Sequence, residues 1–327
     1  MKRFDRAEVP EMKILLTKTL LCIGAVNLVG CQTTTVRKLA PIEVVPSTSL
    51  VVLSINWTEV WEDDYLKRMI NGDDLEETLR ELNIAGDQVS ELVVFSDAQN
   101  QTGGSAGIIL KGSYDVRALT HSLKQQGWSE QTYDGHKLYF NSADDLWFAP
   151  LRSGFLVAGT RAGVEGVIEV ESDPQAGLTS IQPFDRLVAR FGKKRYPISM
   201  VMSFPQALQD ASGAALELST VLLDFAGLGP LGELLNKIGF AKGLGYSISR
   251  QGSSFPVELV AIMKDEEAAS FVSGTLNLLK GITSLLPQQQ MTPTDREAMQ
   301  AFQSLSVDRD GEILAIKFVM SEKDLMR

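Results

Sequence analysis

The sequence predicts an α+β fold: two tandem repeats of a β-α-β-β-α-β module, with mainly antiparallel sheets and helices packed on one face. Three observations point there. Short β-rich runs bounded by turn residues alternate with helical stretches that open on capping residues. The order strand, helix, two strands, helix, hairpin occurs twice. The punctuation also aligns: Asn56 with Ser203, Asp115 with Asp265, and Asp134-Gly135 with Asp310-Gly311, at offsets of 147, 150 and 176 residues. An extra helix near the end of the second copy accounts for the larger last offset.

The first module opens with the β-rich run Leu50 to Ile55, after which Asn56 and Glu59 form a variant capping box that starts a helix. A second helical piece carries Leu75, Leu79 and Leu82 on one face. Val89 to Ser96 and Ser105 to Lys111 read as strands around a Gly-rich turn. Asp115 caps a helix with Val116, Leu119 and Leu123 inward, and Gly127 ends it. Tyr133-Asp134-Gly135-His136 is a tight hairpin leading into Leu138-Tyr139-Phe140. Strands at Leu146 to Phe148 and Phe155 to Ala158, then bridging helices at Arg161 to Glu171 and Pro183 to Gly192, complete a module spanning 47–192.

The second module, 197–327, begins with the strand Ile198 to Met202 and a capping box made by Ser203 and Gln206. An apolar helical region follows to about Ile238, then strands Gly243 to Arg250 and Phe255 to Met263. Asp265 caps a helix to about Leu286, a further helix covers Thr294 to Leu305, and Arg309-Asp310-Gly311-Glu312 turns the chain into Ile313 to Val319.

The N-terminal residues carry an address. From Met12 the chain has a basic start, a short apolar run and small residues, the pattern of a secretory signal over 12–30 and too short for a stable membrane span. Residues 1–11 are charged and do not belong ahead of such a signal, so Met12 is the expected start. The closing Leu28-Val29-Gly30-Cys31 resembles the lipobox of bacterial lipoproteins. That resemblance implies cleavage before Cys31, diacylglycerol on its thiol and usually an acyl chain such as palmitate on the new amino terminus. Several acyl chains give lasting anchorage, at about 0.8 kcal/mol per buried methylene. Gln32 stands where the family's inner-membrane retention signal has Asp, which implies an outer-membrane lipoprotein facing the periplasm. Residues 31–46 then form a tether without hydrophobic period.

A second resemblance covers most of the first module. Pro46-Ser47-Thr48-Ser49-Leu50-Val51-Val52, Gly112 to Leu119, Tyr133 to Tyr139 and Phe155 to Thr160 together resemble a group of exported bacterial proteins of unknown function. The likeness is looser in the second module and brings no active site with it.

Composition bounds the function. Apolar residues make up 44% and charged residues 22% of the 327, enough to bury a core and too apolar for a disordered chain. Without the first thirty residues, 297 remain with 26 basic and 38 acidic groups, a formal charge of -12. A phosphate backbone is held by excess Lys and Arg, so nucleic acid is not an expected partner. Cys22 leaves with the signal and Cys31 is the lipidation site, so the mature body has no disulfide.

No catalytic constellation stands out. His121 lies off its helix's apolar stripe, His136 follows a hairpin turn, and neither has the spacing of a zinc site. A Ser-His-Asp triad needs no proximity in sequence, so Ser and Asp converging on His136 would mark a hydrolase. Gly227-Leu228-Gly229-Pro230-Leu231-Gly232 matches the dinucleotide fingerprint in letters, but a helix precedes it where a strand is required. The acid clusters Glu62-Asp63-Asp64, Asp73-Asp74, Asp144-Asp145 and Asp265-Glu266-Glu267 mostly fit helix starts, and Lys193-Lys194-Arg195 fits a helix end. No cofactor and no metal are expected.

The most suggestive segment is Ala211 to Leu244, which reads as an apolar helical hairpin. Its Leu222, Phe225, Leu231, Leu235 and Phe240 are the candidate surface for an apolar ligand or partner, with a hydrophobic cavity or an exposed patch expected between it and Phe271 to Leu286. The leading expectation is a non-enzymatic cell-envelope lipoprotein, an interaction or scaffolding module with an envelope protein as partner. The alternative is a carrier or sensor of an apolar ligand, a lipid or acyl chain. A hydrolase is the weaker alternative.

Overall fold

The computed structural model describes residues 39–70, 76, 84–97, 104–182, 184–193, 196–203, 241–284 and 303–321. The chain divides into two compact units, one built on Asn56–Leu178 and the other on Leu50–Ile55 together with the chain from Thr179 onward. Each is antiparallel sheet with a few helices, the α+β class the sequence predicts. The division differs from the modules read at 47–192 and 197–327. Strand β1 (Val51–Asn56) pairs with Ile198 to Met202, so its core residues fall with the second unit, and the expected bridging helix at 184–193 packs there too.

The first unit holds β2 (Val89–Ser96), β3 (Ala106–Gly112), β4 (Ser129–Tyr133), β5 (His136–Asn141), β6 (Leu146–Pro150) and β7 (Leu156–Gly159). Their order is β2-β3-β7-β6-β5-β4, so the chain leaves β3 through a helix and returns to it by a four-strand meander. Helices α1 (Trp57–Trp61) and α2 (Asp64–Met69) precede this sheet, α3 (Val116–Gln125) joins β3 to β4, and α4 (Arg161–Ser172) follows β7. Asp63 Oδ1 accepts from the amides of Tyr65 and Leu66 at 2.9 and 3.2 Å, and Asp115 Oδ1 accepts from those of Arg117 and Ala118 at 2.9 and 3.0 Å. Asn56 and Glu59, expected as a capping box, bond each other through their side chains at 2.6 Å. At the β4–β5 turn both loop residues are left-handed, Asp134 at φ 43° and Gly135 at φ 73°, the hairpin geometry that an Asp-Gly pair favours.

Helix α4 seals one side of this unit's core with Val164, Val167 and Ile168, all fully buried. It approaches β3 so closely that a Cβ at Gly163 would stand 2.3 Å from the Ala106 carbonyl oxygen. Thr160 fixes that approach, since its hydroxyl oxygen accepts from the Gly163 and Ala106 amides and its hydroxyl donates to the Gly104 carbonyl.

The second unit orders β1 with β8 (Ile198–Ser203), β9 (Ala241–Ile248), β10 (Ser254–Met263), β12 (Ile313–Ser321) and β11 (Ser306–Asp310), giving β1-β8-β9-β10-β12-β11. Helix α5 (Phe184–Lys193) precedes β8 and α6 (Glu266–Ser284) follows β10. Strand β10 is buried on both faces from Val257 to Met263, as a run with apolar residues at nearly every position requires. Gly245 on β9 lets α5 lie close, because a Cβ there would meet the Phe191 ring at 2.1 Å.

Some expectations change. Ala241 and Lys242, inside the segment read as a helical hairpin, are strand, and Gly243 to Ile248 are strand as expected, with Leu244 opposite Ala261 in the ladder to β10. The hairpin turns are offset by one residue: Asp134-Gly135 are the loop pair in the first unit, whereas Gly311-Glu312 are in the second, where Asp310 already pairs with Ile313. The pieces at Leu75, Leu79 and Leu82, at Gln206, and at 294–302 lie outside the described residues.

Candidate functional site

Three places in the described structure gather chemistry or unpaired surface, and they differ in what they can do. The first is the last turn of α4. Glu169 and Glu171 sit at a helix C-terminus, where the helix dipole disfavours carboxylates and where α4 has no basic residue. Donors from two hairpins compensate. The Glu171 carboxylate accepts from the amides of Ser153 at 2.6 Å and Arg152 at 3.2 Å, and faces His136 Nε2 at 3.6 Å, an ion pair once the imidazole carries a proton. Tyr133 donates to Glu169 at 2.5 Å, a bond that with lesser burial pushes its hydroxyl up to about 12. Ser172 donates to Asp134 at 2.8 Å.

His136 is thus a buried residue that meets a glutamate 35 positions away, which no sequence motif signals. The convergence holds no hydrogen-bonded Ser-His pair among the described residues. Ser153 reaches Glu171 through its amide, and neither Ser153 Oγ nor His136 Nε2 makes a hydrogen bond. A general base must lie within hydrogen-bond reach of the proton it takes. The arrangement fastens the β4–β5 and β6–β7 turns to α4. His121, which the sequence places off its helix's apolar stripe, is exposed and lies 3.0 Å from Gln125.

The second place is Glu258, a carboxylate buried in the middle of β10. One of its oxygens accepts from Arg190 Nε at 3.0 Å and Nη2 at 2.6 Å, and the other accepts from the Tyr196 hydroxyl at 2.6 Å. Burial, and then the bond to Glu258, push the Tyr196 hydroxyl up to about 12. This triad joins α5 and Tyr196, two residues before β8, to the centre of the sheet, a structural use of charge.

Two of the acid clusters act as helix starts. Asp63 caps α2, and Asp265 Oδ1 accepts from the Ala268 amide at 2.8 Å at the start of α6. Asp144 accepts from Asn141 within a turn, and Asp73-Asp74 lie outside the described residues. Among the described residues no group of His, Cys, Asp and Glu could hold a metal ion. Helix α5 ends at Lys193, the first residue of the basic knot; Lys194 and Arg195 lie outside the description.

The third place is the outer face of α6. Ala268, Ala269, Val272 and Leu276 are buried, the stripe expected of a helix on a sheet. Phe271 and Leu278 are 62% and 64% exposed. At about 100° per residue they fall, with Gly274 and Gly281, in one narrow stripe opposite the buried one. Among the described residues nothing lies within 4 Å of a Cβ built at Gly274. From Ala268 to Leu279 the helix carries no charged residue, so beyond Glu267 in its first turn this outer face lacks the solvated charges usual on a surface helix. Among the described residues, only the first of these two faces is covered.

The other sequence-predicted site residues, Cys31, Leu222, Phe225, Leu231, Leu235 and Phe240, lie outside the described residues. Among the described helices none is long and apolar enough to cross a membrane.

No family model matches the chain, and no curated protein matches it. Among solved structures, crystal form I of TP0453 is similar at 12% identity and a TM-score of 0.47, covering 88% of this chain and 95% of that one. Crystal forms III and IV of TP0453 give TM-scores of 0.44 and 0.46 at 12% and 14% identity, each covering 88% of this chain and 96% and 94% of the other. Scores of this size support no transfer of function.

Proposed function

We propose that this chain is a non-enzymatic, lipid-anchored module of the cell envelope that works by contact, with the outer face of α6 as a contact surface. The observation that carries this reading is the exposed, uncharged stripe of Phe271 and Leu278. Exposed apolar stripes opposite a buried face are what partner helices and protein surfaces use. The polar clusters add support, because Glu171 and Glu258 are engaged in holding the sheets to their helices.

The body is read as a duplication. Both units carry two antiparallel strands, a helix, and a meander whose last strand returns beside the strand before the helix. The first meander has four strands and the second two, so the copies differ by an added hairpin. The anchor reading rests on the lipobox at Leu28 to Cys31, with the outer membrane as destination from Gln32.

A photo-reactive residue at position 271, in the chain expressed in its own envelope, tests the contact reading. It is expected to yield cross-linked protein that the same residue at the exposed, polar position 121 does not. Equal yields from both positions, or none, overturn the reading. Cys31→Ser tests the anchor separately and is expected to move the chain from the membrane to the soluble fraction.

The carrier reading keeps one specific support: it expects a hydrophobic cavity or an exposed patch between the apolar segment and Phe271 to Leu286, and Phe271 and Leu278 are exposed. Native mass spectrometry of chain purified from the envelope distinguishes it. A stoichiometric added mass lost on denaturation would establish the carrier, and an apo mass would exclude it.

A further inference from the structure

Residues 31–46 carry no hydrophobic period, yet from Ala40 onward the chain is closed onto the first unit. Pro41–Val44 form a short 3₁₀ turn, in which the Ala40 amide donates to the Glu43 carboxylate at 2.8 Å and the Glu43 amide donates to the Ala40 carbonyl at 2.9 Å. The Leu178 amide donates to the Val45 carbonyl at 2.9 Å and the Ser47 amide to that of Ala176 at 3.0 Å, so Pro46 and Gly177 stand opposite each other in an antiparallel bridge. Val44 and Val45 are fully buried, and Pro46 lies against α4, where a Cβ at Gly166 would meet its Cγ at 3.0 Å. Two buried valines and these hydrogen bonds make 40–47 a strap on the body.

We infer that the strap sets which side of the first unit faces the bilayer: the surface around Pro46 and Gly177 is turned toward the lipid headgroups, and the opposite surface is kept away from them. The inference rests on the lipid-anchor reading at Cys31 and deepens it. Whatever path the chain takes, the nine steps from Cys31 to Ala40 reach at most about 32 Å. Without the strap, the sixteen steps to Ser47 would reach about 58 Å. A compact unit of about 130 residues has a radius of about 18 Å. A chain that leaves the top of such a unit, with the opposite side resting on the bilayer, must travel about 47 Å round and down. The unstrapped stretch would cover that distance, and the strapped one falls short of it.

Fluorescence energy transfer to the bilayer tests this. After Cys31 the chain has no cysteine, so a donor dye on Gln175→Cys, an exposed position two residues before Gly177, reports on the strap side. The full-length chain, processed and lipidated in its host, is placed in vesicles of phosphatidylethanolamine and phosphatidylglycerol whose outer headgroups carry the acceptor. Strong transfer is expected, falling several-fold when twenty Gly and Ser residues are inserted after Gln32. Weak transfer from the chain without the insertion, or equal transfer with and without it, overturns the inference. Hydrogen exchange of the chain in detergent reads the strap apart from the anchor. The Ser47 and Leu178 amides are expected to be protected, and exchange at unfolded-chain rates would overturn the inference. A Cys31→Ser chain that stays in the membrane fraction would remove the anchor reading, and the inference with it, while the protection of the strap stood.

Discussion

Arg190 and Glu258 form a two-pronged ion pair in which both guanidinium donors, Nε and Nη2, reach the same carboxylate oxygen, at 3.0 and 2.6 Å. The Glu258 side chain is 7% exposed and that of Arg190 34%. Removing one partner of a buried pair costs more than the pair contributes, because the remaining charge stays desolvated. Arg190→Ala is therefore expected to cost about 3 kcal/mol, the low end for a broken buried pair because Arg190 is partly solvated. Glu258→Gln, which keeps an acceptor for Tyr196, is expected to cost about half as much. Urea unfolding of the two variants checks the order, and equal losses would contradict it.

Tyr133 and Tyr196 are expected to titrate late. Bonding to Glu169 holds the first up at about 12, and burial, with the Glu258 bond, does the same for the second. Burial alone raises Tyr114 and Tyr246 in the same direction. The folded chain favours the neutral phenols, so their contribution to stability is intact below the unfolded tyrosine value of about 10. It is lost as pH rises through about 12, where the folded state also ionises. Tyrosinate absorbance during alkaline titration is expected to lag behind that of the denatured chain and then to rise with unfolding.

Two glycines in helices are expected to respond in opposite directions to the same substitution. A Cβ at Gly163 would lie 2.3 Å from the Ala106 carbonyl, which is backbone and cannot yield, so Gly163→Ala should cost about 2 kcal/mol. Gly274 has open space around it and sits inside α6, so Gly274→Ala should add up to about 1 kcal/mol through helix propensity. Thermal melts of both variants in dilute solution are the check.

Glu171→Ala should loosen one end of the first unit without unfolding it. The substitution leaves the Arg152 and Ser153 amides without their acceptor and His136 without its facing carboxylate. A loss of about 2 kcal/mol is expected from the stranded donors. Hydrogen exchange should quicken at Arg152 and Ser153 before it does so in β3.

Much of the fold is legible in the sequence where a local rule carries it. Asp115 and Asp265 cap the helices they precede, and Asp134-Gly135 turns the hairpin through two left-handed residues. Strands β2 and β10 follow their β-rich runs almost to the residue. What sequence reasoning misses is set by contacts between distant positions. Strand β1 belongs with β8, about 147 residues on, and Phe191 reaches Gly245 across the sheet. No local signal marks Glu171 as the partner of His136, or Glu258 as a carboxylate inside a strand. The outer face of α6 had a signal, an uncharged run with large and small residues alternating at helical spacing. A second apolar face is invisible until the first is known to be buried.

The claim that the outer face of α6 is a contact surface is tested most directly by its accessibility in two settings. A chain carrying Leu278→Cys is treated with a thiol-reactive label, once as dilute purified protein and once in its native envelope, against the parent chain in both. The account expects rapid labelling at position 278 in dilute solution and strong protection in the envelope. Equally rapid labelling in both would mean that nothing docks on this face, and equally slow labelling that the chain covers it by itself.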